Sequence, residues 1–102
     1  MSENTIESVP VQPDLMGQLL DAAMATAFAH RDAPGEMYAL GQMEATANMV
    51  YVMIVGQGFN ELENQCQRVA TEAITRLQTL RDRDQQSEVW RKRIQQIISR
   101  VG

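Results

Sequence analysis

A stripe of residues spaced alternately four and three positions apart runs through the last part of the chain. Its members are Leu62, Cys66, Val69, Ala73, Arg76, Leu80, Arg83, Ser87, Trp90, Ile94, Ile97 and Val101. This spacing is typical of a helix that presents one seam to a neighbouring helix. The middle of the seam is polar, which leaves two structures open. Either residues 61–81 and 88–100 form two helices with a polar linker, or the region is one long heptad-patterned helix. We favour two helices.

Two further helices are predicted in the first half of the chain. Asp14 precedes an apolar run and is a candidate N-cap for a helix that ends near His30. A second helix is predicted over residues 34–55, followed by a break at Gly56-Gln57-Gly58. The apolar run Met49–Val55 is also compatible with a buried strand, but no partner strand is predicted elsewhere.

Composition favours the same fold class. Hydrophobic residues make up 44% of the chain and aromatic residues only 5%, and most of the apolar residues are the helix formers Ala, Met and Leu. The chain is therefore predicted to be all-α, a small bundle of three to four helices. We expect a single helical domain over residues 13–102 and a flexible tail over residues 1–12, which are polar and lack a helical period.

The chain lacks the features of a membrane or secreted protein. Its longest apolar run, Met49–Val55, is far shorter than the roughly 20 residues that span a bilayer. Cys66 is the single cysteine, which excludes an internal disulfide. The first residues show neither a basic start nor an apolar stretch. These features predict a cytoplasmic protein with no membrane association.

Residues for chemistry are scarce. His30 and Cys66 are the only histidine and cysteine, and they form no metal-ligand spacing. Cys66 lies in the apolar seam, where a thiol is more often a core residue than a nucleophile. Glu44 interrupts an apolar face and is the best candidate for a buried acid. We therefore expect no enzyme activity, no catalytic residues, no metal and no cofactor.

Charge is distributed unevenly along the chain. The net charge is −4, but residues 1–63 carry nine acidic residues and one arginine, whereas residues 64–102 carry four acidic and eight basic residues. Complementary helix faces explain this asymmetry most simply. Arg91, Lys92, Arg93 and Arg100 leave a nucleic-acid binder as an alternative. Nearby acids argue against direct nucleic-acid binding, so an ordinary solvated basic face is the default interpretation, and binding to an acidic protein surface is a further alternative.

The first two helices carry more apolar surface than a small bundle can cover, and this surplus predicts a protein partner. Six methionines lie there, and methionine adapts well to irregular surfaces. The predicted partner-binding residues are Leu20, Met24, Phe28, Tyr38, Met49, Tyr51 and Met53. A second set is predicted to serve self-association, as a homodimer, or a second surface: Trp90, Ile94 and Ile97.

In size, acidity, helix content and the apolar regions Leu15–Phe28 and Met37–Val55, the chain resembles the small bacterial anti-activators of quorum sensing. The resemblance implies binding to a transcription factor of the LuxR type and a block of its dimerisation or DNA binding. No family residue is carried over, because no shared motif supports it. Small helical secretion chaperones and phage-encoded inhibitors look similar, so a chaperone or assembly subunit that shields a client protein is the main alternative.

Overall fold

A computed structural model describes residues 11–101 of the chain. It contains three helices: α1 over Pro13–Ala29, α2 over Glu36–Ile54 and α3 over Asn60–Val101. The all-α fold class is confirmed, and the run Met49–Val55 is helical as far as Ile54. The predicted tail over residues 1–12 falls mostly outside the described residues. Val11, however, is half-buried against the core.

The helix ends follow from local chemistry. The Asp14 N-cap prediction is wrong, because α1 begins one residue earlier, at Pro13, after an extended Gln12. Proline suits this position since the first turn needs no N–H donor from it, and Asp14 instead adds negative charge to the first turn. The predicted break after α2 is confirmed: Gly56 and Gly58 both have positive φ angles, 79° and 91°, which glycine adopts at little cost.

One apolar core joins the three helices. α2 lies in the middle, since it packs extensively on both α1 and α3, whereas α1 and α3 touch each other much less. Leu20, Ile54 and Cys66 are the largest fully buried side chains. The remaining buried apolar residues are Met16, Ala27, Ala39, Leu40, Met43, Ala47, Val50, Leu62, Val69 and Ala73. Small alanines at the contact points allow the helix axes to approach closely.

Residues 60–101 form one continuous helix, so the preference for two helices was wrong. The polar segment of residues 81–87 contains neither glycine nor proline, and most of its residues favour a helix. The segment is also exposed, as is every residue from Arg81 to Val101, and Arg83 reaches the connection between α1 and α2 through an ion pair with Asp32 at 3.5 Å. A polar side chain at a seam position costs nothing there. The result is an elongated molecule of 80 × 26 × 21 Å.

An ion-pair network ties the start of α2 to the middle of α3. Glu36 is the buried acidic residue, whereas Glu44, the predicted one, is only half-buried. Arg76 Nε donates a hydrogen bond to Glu36 Oε2 at 2.8 Å, and Arg76 Nη2 reaches Asp32 Oδ1 at 3.0 Å. The backbone N–H of Asp32 donates to Glu36 Oε1 at 2.9 Å. Asp32 has a φ of 61°, a left-handed conformation that aspartate tolerates better than most residues.

This network makes stability depend on pH. Hydrogen bonds from Arg76 lower the pKa of Glu36 below its ordinary 4.5, with help from the Asp32 backbone N–H and against the effect of burial. A carboxylate whose pKa is lower in the folded state stabilises the fold above its unfolded pKa. That stabilisation is lost as pH falls through the folded pKa.

Glu36→Gln should therefore destabilise the protein at about pH 7 and make its stability less sensitive to acid below about pH 5. Urea unfolding followed by circular dichroism across this range measures both effects. Glu61→Gln, at an exposed position in the first turn of α3, is the matched control. Parallel loss of stability in wild type and Glu36→Gln on acidification would show that Glu36 is not the responsible group.

Candidate protein-binding surface

The outward side of α2 is an exposed apolar strip. Tyr38, Met49, Val52 and Met53 are 75%, 64%, 74% and 46% exposed, and we call these four residues the α2 face. Their spacing places them on one side of a helix of 3.6 residues per turn. The opposite side of α2 carries Leu40, Ala47 and Ile54 into the core. The core therefore fixes the direction in which the α2 face points.

The α2 face has almost no charge near it. Between Met37 and Ile54, Glu44 is the single charged residue, and it is half-buried. About a quarter of the residues in an ordinary domain are charged, and most of them lie on the surface. A helix side with large apolar groups and no charge is typical of a surface that another protein covers.

Exposed apolar side chains are also present on α1. Leu15 and Leu19 are 48% and 45% exposed, and both lie near the start of the helix. A short connection joins α1 to α2, so the two packed helices run antiparallel. The start of α1 therefore lies at the same end of the bundle as Met49 and Met53. Exposed apolar side chains of both helices therefore lie at one end of the bundle.

The structure separates the predicted partner-binding residues into groups. Tyr38, Met49 and Met53 lie on the α2 face. Leu20 is fully buried, so its assignment to partner contact is corrected: it is a core residue. Tyr51 is half-buried against the core and lies beside Cys66 in a depression between α2 and α3. Its aromatic ring is directed at α3 and away from the α2 face.

Met24 and Phe28 line a different feature, a cleft of about 340 Å³ where α1 lies opposite α3. Leu40 and Met43 contribute apolar surface to this cleft, and Arg76 contributes charge. Phe28 is 74% exposed at its edge. Arg76 is already bonded to Glu36 and Asp32, and the charged side chains of Arg31 and Glu72 also line the cleft.

Val52 is the residue that the sequence analysis missed. It is as exposed as Tyr38 and lies between Met49 and Met53. Spacing gave a signal: Tyr38, Met49 and Val52 share one side of an ideal helix, whereas Tyr51 points elsewhere. The signal was hidden because the run Met49–Val55 is apolar on every side.

The thiol of Cys66 belongs to the core of the fold. Cys66 is a buried free thiol, and burial raises the pKa of the Cys66 thiol, which disfavours the reactive thiolate. Within residues 11–101, no group of histidine, cysteine, aspartate and glutamate is arranged to hold a metal ion.

A second exposed apolar surface lies on the end of α3. Trp90, Ile94 and Ile97 are 63%, 41% and 55% exposed and continue the stripe that is buried nearer the start of the helix. The bundle does not cover them: every residue from Arg81 to Val101 is exposed, although Arg83 still forms an ion pair with Asp32 at 3.5 Å. This surface is separate from the α2 face along the long axis of the molecule.

Comparison with family models, with curated proteins and with solved structures found no match to the chain. Among the described residues, no helix is both long and apolar enough to cross a bilayer.

Proposed function

We propose that the protein is a small regulatory module that inhibits a partner protein by covering the partner's interface with the α2 face. The observation that carries this proposal is the exposure of Tyr38, Met49, Val52 and Met53 on a helix side without charge. Such a side fits the helix-in-groove mode, in which anchors three, four and seven residues apart enter an apolar groove. In this mechanism the module acts by covering the partner's interface and catalyses no reaction.

The area that a stable complex buries indicates how much of the surface must take part in binding. Specific complexes bury about 800 Å² on each partner, which is more than four side chains provide. Leu15 and Leu19 at the adjacent end of α1 supply additional apolar area. Methionine at two of the four positions lets the surface adjust to an irregular groove. The anchors are therefore expected to cluster at the Met49 and Met53 end.

The partner class follows from the resemblance to anti-activators. We propose a transcriptional regulator whose own dimerisation surface is apolar, since an apolar module competes best for such a surface. Binding would leave the regulator monomeric or unable to bind DNA. The cell compartment that this function requires is the cytoplasm.

The proposal is tested with Met49→Asp/Val52→Asp, which puts two charges into the centre of the α2 face. Tagged wild-type protein is used to capture and identify the partner, and affinity is then measured with both proteins purified. Loss of two anchors should weaken binding at least about 100-fold, since each buried anchor contributes about 2 kcal/mol or more. Both positions are exposed, so the helical circular dichroism spectrum should be unchanged.

Asn64→Asp/Thr71→Asp is the matched control, because it adds the same charge at exposed polar positions of α3. The control should bind as wild type does. A second readout is the oligomeric state of the partner, which the wild-type protein should shift and the Met49→Asp/Val52→Asp variant should not. Full affinity and full inhibition in a folded Met49→Asp/Val52→Asp variant would refute the assignment of the α2 face.

A chaperone that shields a client is the second candidate, and the same apolar face supports it. The acidic first half of the chain would favour a basic client. The two functions differ in the state of the partner. A client is aggregation-prone when purified alone, whereas a regulator is folded and active alone and loses activity when the module is added.

A further inference from the structure

The methionines of the described residues differ widely in their exposure to solvent. Three of them, all on α2, are exposed: Met37, Met49 and Met53. The others are buried or half-buried: Met16, Met24 and Met43. Peroxides oxidise the thioether of methionine to a sulfoxide, and the access of the oxidant to the sulfur influences the rate. We therefore expect the exposed methionines of α2 to be oxidised first.

Two of these exposed methionines belong to the α2 face. Met49 and Met53 are two of its four residues. Met37 is 45% exposed but lies elsewhere, in a depression that Leu80 and Arg83 of α3 also line. Oxidation of α2 thus alters the α2 face at two positions, and Met37 provides an internal comparison outside that face.

The cysteine thiol, which is often the first target of mild oxidants, is shielded in this fold. Cys66 is fully buried, and burial raises the pKa of the Cys66 thiol, so little thiolate forms. Oxidation of a thiol by a peroxide depends on the thiolate and on its exposure. Among the sulfur atoms of residues 11–101, those of the exposed methionines are therefore the most accessible to an oxidant.

Oxidation makes the α2 face polar. In the reaction, the sulfur lone pair attacks one oxygen of a hydroperoxide, the O–O bond breaks, and the sulfur is oxidised while the peroxide is reduced to water or an alcohol. The product carries an S=O group that accepts hydrogen bonds. In an apolar groove this oxygen would lose its bonds to water without gaining a donor, which weakens binding.

We propose that Met49 and Met53 form a reversible oxidation site, and that conversion of their thioethers to sulfoxides by a hydroperoxide releases the α2 face from its partner. The effect on binding rests on the function proposed above, whereas the site of oxidation does not. Methionine sulfoxide reductases reverse the reaction: a thiol reductant supplies two electrons and two protons, and the oxygen leaves as water. The α2 face then regains its apolar character.

Oxidation at these positions leaves the fold intact. Met49 and Met53 lie on the solvent side of α2, and the core contacts of the helix come from its opposite side. Met16 and Met43 are only 8% and 4% exposed, and an S=O group at either would enter the core and destabilise it. The order in which the methionines are oxidised therefore separates a change of surface from unfolding.

The first test maps oxidation on the full chain with dilute hydrogen peroxide and peptide mass spectrometry. Met49 and Met53 should gain oxygen at least about ten times faster than Met16 and Met43, because oxidation of the core positions requires opening of the structure. The helical circular dichroism spectrum should not change during the fast phase. Retention on a phenyl matrix, which reports apolar surface and needs no partner, should fall.

Matched variants assign the loss of retention to the α2 face. Met49→Leu/Met53→Leu keeps two apolar side chains of similar volume but has no oxidisable sulfur there. This variant should keep most of its retention on the phenyl matrix after treatment with peroxide. Met37→Leu should lose retention nearly as wild type does.

The second test measures affinity for the purified partner before and after treatment with peroxide. Wild type and Met37→Leu should bind about 10- to 100-fold more weakly after oxidation, since two acceptors are left without donors. Met49→Leu/Met53→Leu should bind as untreated wild type does in both states. Reductases specific for the two sulfoxide epimers, supplied with dithiothreitol, should restore the affinity of oxidised wild type.

Three results would overturn the inference. The first is oxidation of Met16 and Met43 as fast as that of Met49 and Met53. The second is wild-type protein that carries both sulfoxides on the α2 face and keeps its full affinity. The third is equal loss of affinity in treated Met49→Leu/Met53→Leu.

Failure of the proposed function gives a different result, in which untreated Met49→Asp/Val52→Asp binds as wild type does. The oxidation site is then decided by mass spectrometry and the phenyl matrix alone. Retention that is unchanged once Met49 and Met53 are oxidised would overturn it.

Discussion

Replacing Leu20 by alanine should lower the free energy of unfolding by about 3 kcal/mol. Leu20 is completely buried between the three helices, next to core residues that are themselves packed. Truncation removes apolar contacts and leaves a cavity that the surrounding helices fill only in part. A domain of this size has a total stability of about 5–15 kcal/mol, so a loss of this magnitude is a large fraction of the whole.

Leu19→Ala is a close control, because it makes the same chemical change one residue away on the same helix. Leu19 is 45% exposed, so its truncation should cost less than about 1 kcal/mol. Urea unfolding of the two variants and wild type gives the comparison. Equal destabilisation by the two substitutions would mean that α1 is rotated relative to the orientation described here.

The thiol of Cys66 should react with a thiol reagent at least about 10³ times more slowly in the native protein than in the urea-unfolded chain. Cys66 is 1% exposed, so reaction requires opening of the core. An unfolding free energy of about 5 kcal/mol limits the open population to a few parts in 10⁴. Burial also raises the pKa of the thiol and thereby reduces the reactive thiolate.

The reaction rate of Cys66 also tests the contribution of Leu20 to the core. If the opening that exposes Cys66 is global unfolding, Leu20→Ala should accelerate the reaction about 100-fold, as its loss of stability requires. Leu19→Ala should leave the rate nearly unchanged. Rapid reaction of Cys66 in the folded wild-type protein would contradict the packing of α2 against α3 around this residue.

Periodicity predicted the helices well because burial imposes it. The stripe through Leu62, Cys66, Val69 and Ala73 packs against the other helices as expected. The error in α3 came from treating the polar seam residues as a break. Arg76 is tolerated in the seam because Glu36 and Asp32 pair with it, and Arg83 is exposed and lies 3.5 Å from Asp32. The length of the bundle depends on α1 and α2, so residues 81–87 alone did not reveal it.

The candidate surface was predicted less well, for a related reason. α1 and the end of α2 are apolar around most of their circumference, so composition gave no indication of which side faces the core. Leu20 and Met49 are both large apolar residues in these helices, yet the first is fully buried and the second is 64% exposed. The position of the third helix decides between them, and that position is a tertiary property.

The buried acidic residue was predicted wrongly for a different reason. Glu44 lies within an apolar stretch and Glu36 at a helix start, so local context favoured Glu44 as the buried one. The deciding factor is Arg76, which is forty positions away from Glu36 and bonds to it at 2.8 Å. An arginine at a seam position was a signal for a buried acidic partner, because a charge at such a position needs a counter-charge.

The long α3 changes how the protein moves in solution. Its radius of gyration is 20.7 Å, whereas a compact chain of this length has about 13 Å. Translational friction is therefore that of a considerably heavier sphere, and an elution volume would report an oligomer even for a single chain. Rotational diffusion is also anisotropic, since the molecule turns faster about its 80 Å axis than end over end. Backbone amides of α3, whose 42 residues account for most of that length, would consequently show a slow tumbling time that mass alone does not predict.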